Sequence, residues 1–290
     1  MIAVTGASGH LGRLVVNSLL QKVPAGEIVA AVRTPDKVKD FASKGVVVRQ
    51  ADYSRPETLA PALVGVEKLL LISGNEVGRR IEQHKAVIAA AKQAGVKLIV
   101  YTSLLHCDKS PMAALRGEHA ATEEAIRASG IPFVILRNSW YTENYTNAAA
   151  QAAKTGVHYG AAGGGRVSAA SRADYADAAA AVLTAKDAQG GKIYELAGDN
   201  AFTFAEFAAE VSRQSGKPVK YQDLPEAEYK AVLVKAGLPE VVAGMLANGD
   251  AGIAKGALFD DSLQLHALIG RTTTPISATI AAALASGAQA

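Results

Sequence analysis

The chain has 290 residues, enough for a large core and more than a typical single domain. Hydrophobic residues make up 49%, charged residues 20%, and the formal net charge is +3; this fits a soluble globular protein and is too weak for an electrostatic nucleic-acid footprint. The single cysteine, Cys107, excludes an internal disulfide and fits a reducing compartment.

Met1 leads straight into a predicted strand and no apolar run reaches membrane-span length. The sequence therefore predicts neither a signal peptide nor a membrane segment, and a cytoplasmic location. The first strand, Ile2-Ala3-Val4-Thr5, runs into Gly6-Ala7-Ser8-Gly9-His10-Leu11-Gly12. A helical pattern follows at Leu14, Val15, Leu19 and Leu20. Strand, glycine turn and helix in this order read as the phosphate-binding start of a dinucleotide fold. Gly6 lets the chain turn off the strand, Gly9 leaves room for a pyrophosphate, and Gly12 lets the helix pack close to the sheet. The helix N-terminus aims free N–H groups and a positive dipole end at the phosphates.

The next strand ends at Arg33, about 20 residues past the loop, where an NAD-binding fold places an acid on the ribose 2′-hydroxyl. A guanidinium there pairs with a 2′-phosphate, so NADPH is the cofactor expected; the alternative is a solvated strand-end arginine. Further along, helix 36–43, strand 45–52 and a capping-box match at Ser54 and Glu57 are followed by a buried strand at 68–74. Helix 79–94, strand 97–103, helix 117–129 and strand 131–138 complete the alternation. Residues 139–165 break it. Helix 171–185 and strand 193–197 follow, then a second capping box at Thr203 and Glu206 and short helices from Val219 onward. The fold expected is α/β: a doubly wound parallel sheet (Rossmann) with a smaller helix-rich C-terminal domain. Its NADP-binding domain covers 1–138, with parts of 166–198 completing the sheet. A substrate domain covers 139–290, with chain crossings between the two.

Ligands of such a sheet sit outside the carboxyl ends of its strands. That rule selects the glycine loop, Arg33, Asp52, the segment Ser73-Gly74-Asn75, Thr102 to Leu104, and Arg137 to Thr142. Asp52 either accepts from adenine or caps the next helix. Arg137 either serves the site or forms a structural ion pair. Trp140, Tyr141 and Tyr145 either wall a planar-substrate pocket or only pack the two domains together. His119, on the helix after the fifth strand, is the candidate proton donor or orienting group, set against an ordinary structural histidine. The other histidines show no metal-ligand spacing, so no metal is expected. Residues 105–115, with Pro111, are the candidate lid.

These residues resemble the NmrA-like group of atypical short-chain dehydrogenase/reductases. The resemblance rests on the glycine turn, Arg33, Arg49-Gln50-Ala51-Asp52-Tyr53, Tyr101-Thr102-Ser103-Leu104-Leu105-His106, and above all Leu136-Arg137-Asn138-Ser139-Trp140-Tyr141-Thr142-Glu143-Asn144-Tyr145. It is strongest with the bacterial branch that reduces quinones, to which triphenylmethane dye reductases are related. It implies that NADPH lies among Gly6 to Leu11, Arg33, Ser73 to Asn75 and Arg137, Asn138, Ser139, Trp140, Tyr141 and Thr142. It also implies a small-molecule quinone substrate between the domains, and an NAD(P)H:quinone oxidoreductase. One departure matters. No tyrosine is followed four residues later by lysine, so the usual carbonyl acid–base pair of the superfamily is missing. His119 occupies the position where isoflavone reductase-like members carry a catalytic lysine. A quinone tolerates this, being a strong hydride acceptor. No flavin is implied by a single dinucleotide fingerprint. A dinucleotide-sensing regulator without turnover is the rival.

Overall fold

Strands β1 (Ile2–Thr5) and β2 (Ile28–Val32) are buried at every position, as strands covered on both faces must be. They are joined by β3 (Val47–Gln50), β4 (Lys68–Leu71), β5 (Leu98–Leu104) and β6 (Phe133–Asn138). The pairings of these six strands are parallel. After two short strands that belong elsewhere, β7 (Val157–Gly160) and β8 (Arg166–Val167), the strand β9 (Lys192–Leu196) returns to the sheet. The order is β3-β2-β1-β4-β5-β6-β9. Chain order therefore reverses between β1 and β4, the switch point of a doubly wound sheet. The structure is a computed structural model and describes residues 1–76 and 78–287.

Helices α1 (His10–Leu20), α2 (Lys39–Ala42), α3 (Leu59–Ala62), α4 (Arg80–Gln93) and α5 (Ala113–Ser129) alternate with the first six strands. After α6 (Thr146–Thr155) comes α7 (Arg172–Thr184), which packs on α1. Side chains alternate across the sheet. Ala3, Leu69, Leu71, Ile99, Tyr101 and Ile135 join one core with Leu59, Val87, Ala91 and Ile126 of the helices.

The chain divides into two units. The first comprises Met1–Cys107, Gly117–Asn138 and Arg172–Glu195; the second comprises Asp108–Arg116, Ser139–Ser171 and everything from Leu196. In the second, β10 (Phe202–Thr203) pairs with β8 and β11 (Lys220–Asp223) pairs with β7. Helices α8 (Phe204–Ser215), α9 (Glu226–Lys235), α10 (Glu240–Ala254), α11 (Gln264–Ile269) and α12 (Ile276–Gly287) complete it.

Two capping-box matches had opposite outcomes. Thr203 and Glu206 form the reciprocal box at α8. Ser54 and Glu57 do not: the turn after β3 starts at Pro56, Arg55 is its cap residue, and Ser54 donates its N–H to Asp52 instead. Proline fixes the helical start at Pro56, which moves the cap one residue past the predicted one. The candidate lid 105–115 runs from loop into helix. Leu105, Cys107, Ser110 and Met112 are buried, and α5 begins at Ala113, so the segment is not a loop throughout.

The core of the second unit is aromatic. Tyr145 stacks edge-on against Phe202 and Phe204, which settles its ring as packing. Asp250 accepts a hydrogen bond from the Ala161 N–H at 3.1 Å. Burial, with Asp223 adding repulsion, pushes its carboxyl up to about 7. The folded state therefore binds more protons than the unfolded one between about pH 4 and pH 7. That stabilising contribution is complete at low pH and lost as pH rises through about 7. Asp250→Asn keeps an acceptor and removes the charge. Its melting temperature relative to wild type will rise between pH 4 and pH 8, by about 2–4 °C. A difference that stays flat over this range would refute the assignment.

Candidate active site

The turn after β1 is open to solvent at Gly6, Gly9 and His10. Gly6 takes φ +60°, a conformation glycine adopts without strain. The Gly9 N–H closes the turn on the Gly6 carbonyl at 2.9 Å. Gly12 is tighter. A Cβ there would lie 2.3 Å from the Gly6 oxygen and 2.7 Å from the Ala7 Cα. Gly12 thus packs α1 against the turn itself rather than against the sheet. α1 has no side-chain cap and no acid in its first turn. Its first N–H groups are available to an anion, and its dipole favours one. Ser8 is half-buried in this turn, and Ala7 and Leu11 are buried.

The loop after β4 is held from both sides. His84 accepts from the Gly74 N–H through Nε2 at 2.9 Å, and Arg80 donates Nε–H to the Gly74 carbonyl at 2.6 Å. The His84 acceptor role places its proton on Nδ1, facing Thr122 Oγ1 at 3.0 Å. Burial, with the nearby Arg80 charge, pulls this imidazole down to about 3, so it stays neutral. Glu118 braces the same loop, taking the Gly78 N–H at 2.7 Å and Arg80 Nη1 at 2.5 Å. Ser73 donates its N–H to Thr102, and the single Tyr53 hydroxyl proton lies between Thr5 Oγ1 at 2.5 Å and the Ile72 carbonyl at 2.9 Å. Asn75 is exposed. Asp52 caps the turn at Ser54.

At the end of β6, Arg137 forms the structural ion pair. It donates Nε and Nη2 to Glu123, each at 3.0 Å, and Nη1 to Glu195 at 2.8 Å. Burial opposes the charge, but the two carboxylates outweigh it and hold the guanidinium protonated. Glu123 also accepts from Ser103 at 2.7 Å. Burial resists its ionisation, and the bonds from Arg137 and Ser103 reverse that and hold it below the usual carboxylate range. Arg137 thus fixes the strand end that carries Asn138. Asn138 is 6% exposed, and its Oδ1 is buried without a hydrogen-bond partner. An unsatisfied buried acceptor costs about 1–3 kcal/mol, and a donor from a ligand would relieve it.

His119 is buried, with Nδ1 2.8 Å from the Tyr101 hydroxyl. Burial, then the Arg80 charge, pulls it down to about 3. A group neutral at pH 7 has no imidazolium proton to give. Cys107 is buried, and burial with Glu123 pushes its thiol up to about 12, which makes it a poor nucleophile.

The residues after β6 belong to the second unit. Ser139 donates its N–H to the Leu196 carbonyl, and Thr142 donates its N–H to Ala170. Thr279 donates to the Thr142 hydroxyl at 2.9 Å. Trp140 is half-buried against that unit's core, and Tyr141 bridges to Ala170.

In the first unit, then, the strand ends bring together an open glycine turn, Arg33, the braced loop at Gly74 and the orphaned Asn138 oxygen. The uncapped helix and that oxygen fit a dinucleotide. The bracing groups Arg80, His84, Glu118 and Glu123 were not among the sequence candidates. A strand-terminal Ser-Gly followed by a helix carrying Arg and His was the one local hint.

A nucleotide-binding sheet of this order with this glycine turn defines a class, and the chain belongs to the NmrA-like family, whose model matches residues 1–274. It is 53% identical over 280 residues to quinone oxidoreductase 2 of Escherichia coli K12, covering 97% of each chain. The crystal structure of E. coli NADPH-dependent quinone oxidoreductase QOR2 complexed with NADPH superposes with TM-score 0.95 at 52% identity, covering 98% of this chain and 100% of that one. Citrobacter sp. triphenylmethane reductase complexed with NADP(H) gives 0.92 at 42% identity, covering 98% and 100%. Among the described residues no helix is long and apolar enough to cross a membrane.

Proposed function

We propose that this protein is a cytoplasmic NADPH-dependent reductase that transfers hydride to small quinones. The observation that carries the reading is the open glycine turn under an uncapped helix, with Arg33 at the neighbouring strand end. Similarity to the E. coli quinone oxidoreductase over nearly the whole chain supports it.

NADPH, when bound, supplies the hydride. Gly6 to Leu11 and the α1 N-terminus bind the pyrophosphate. Arg33 holds the 2′-phosphate. His84 and Arg80 keep the Gly74 peptide fixed, so Ser73, Gly74 and Asn75 present a set surface. Asn138 offers an acceptor, and Arg137, through Glu123 and Glu195, keeps it in place. Ser139, Trp140, Tyr141 and Thr142 are proposed as further cofactor contacts, on the family resemblance. His119, neutral and bonded to Tyr101, orients rather than protonates, and water supplies the proton to the reduced quinone.

Arg33→Asp tests the cofactor half of this reading. NADPH affinity should fall by at least about tenfold, the worth of a charge-assisted pair lost and a like charge gained, while NADH affinity changes little. An unchanged preference for NADPH over NADH would remove Arg33 from the site.

A further inference from the structure

Arg33 does not stand alone at the end of β2. Its side chain is 67% exposed, and its Nη1 lies 3.6 Å from Oε1 of Glu76. That gap is beyond a hydrogen bond. The other oxygen of Glu76 is held elsewhere. Gln83 donates Nε2–H to Oε2 at 3.0 Å, and Arg79 donates Nη1–H to it at 3.2 Å. Gln83 is itself buried and also bonds Ser54. The Arg79 N–H closes a turn on the Glu76 carbonyl at 3.1 Å. The carboxylate is thus located by the start of α4, not by Arg33, and it stays when Arg33 turns to a ligand.

We infer that Glu76 is a specificity-determining residue, a fixed counter-charge beside Arg33 that weakens the preference for NADPH and lets the same site accept NADH. This rests on the reading that Arg33 meets the 2′-phosphate. A phosphate arriving at Arg33 meets the negative charge of Glu76 and competes with it for the guanidinium. A ribose 2′-hydroxyl is uncharged and can donate to the free oxygen. The carboxylate therefore opposes one dinucleotide and suits the other.

Glu76→Gln removes both effects together: its amide oxygen still accepts from Gln83 and Arg79, while the charge is lost and the oxygen facing Arg33 becomes an N–H donor. The measurement is calorimetric titration with NADPH and with NADH, without quinone, on wild type, Glu76→Gln and Arg33→Ala. Glu76→Gln should raise the ratio of NADH to NADPH dissociation constants by about threefold to fivefold at low salt. Half-molar salt should shrink the gain, since the charges are exposed. A ratio that is unchanged or lower in Glu76→Gln, while Arg33→Ala abolishes the preference, would overturn the role of Glu76 alone. A preference that survives Arg33→Ala would overturn the 2′-phosphate reading, and the role of Glu76 with it.

Discussion

Gly12→Ala will abolish tight dinucleotide binding and destabilise the first unit. The added Cβ would lie 2.3 Å from the Gly6 oxygen, 2.7 Å from the Ala7 Cα and 2.9 Å from the Gly6 carbonyl carbon. All three are backbone atoms, so no side-chain rotation relieves the clash. Either α1 moves away from the turn or the turn opens. Both movements misplace the N–H groups that bind phosphate. Overpacking of this kind costs about 1–3 kcal/mol and occasionally more, which in a chain of this size lowers the melting temperature by roughly 2–10 °C. NADPH affinity should fall at least about tenfold. Gly26→Ala is the control, because an added Cβ there meets nothing within 4 Å. Thermal melts and titrations of both variants decide the matter. If Gly12→Ala melts and binds like Gly26→Ala, the close approach of helix and turn is not real.

Removal of the Glu123 carboxylate should be the costliest side-chain truncation near the strand ends. Glu123→Ala takes away the partner of Arg137 Nε and Nη2 and of the Ser103 hydroxyl. The Arg137 side chain is 9% exposed, so water cannot replace the two lost bonds. Breaking a buried pair from one side costs about 3–5 kcal/mol. A double variant, Glu123→Leu with Arg137→Met, should be more stable than Glu123→Ala, because the buried guanidinium goes with its main partner and Glu195, 20% exposed, keeps the His106 N–H. Acid gives an independent check. The Glu123 carboxyl titrates below its unfolded value, so its stabilising effect is full above the ordinary glutamate range and is lost as pH falls through the folded value. The melting temperature of wild type should therefore fall more steeply with acid than that of the double variant. Equal slopes, or a double variant less stable than the single, would mean the pair is not what holds the end of β6.

The parts of this fold legible in the sequence are those set by local chemistry. The glycine turn could be placed because a strand, three glycines and a helix must follow one another within a dozen residues. The Thr203–Glu206 box could be placed because both partners lie in one helical turn. Ser54 and Glu57 match the same pattern, but Pro56 moves the start of the turn and Asp52 captures the Ser54 N–H. The sequence does not show β11, because Lys220, Tyr221, Gln222 and Asp223 form a polar, mostly exposed strand with no apolar alternation to betray it. Partnerships across the fold were not legible. His84 meets Gly74 and Thr122, Arg80 meets Glu118, and Arg137 meets Glu123 and Glu195 only once α4, α5 and the strands are packed. The sequence placed Arg137 and His119 near the site without saying whether they touch a ligand. The structure gives the Arg137 charge to two carboxylates and holds the His119 imidazole neutral.

The central claim is that this chain turns over rather than senses. Its most direct test is steady-state loss of reduced-nicotinamide absorbance with a simple benzoquinone and no added flavin, using NADPH and NADH in turn and subtracting the uncatalysed rate. Quinone-dependent oxidation that favours NADPH is the result expected. Tight binding of either dinucleotide with no turnover on benzoquinones or naphthoquinones would contradict the reductase and leave a dinucleotide sensor.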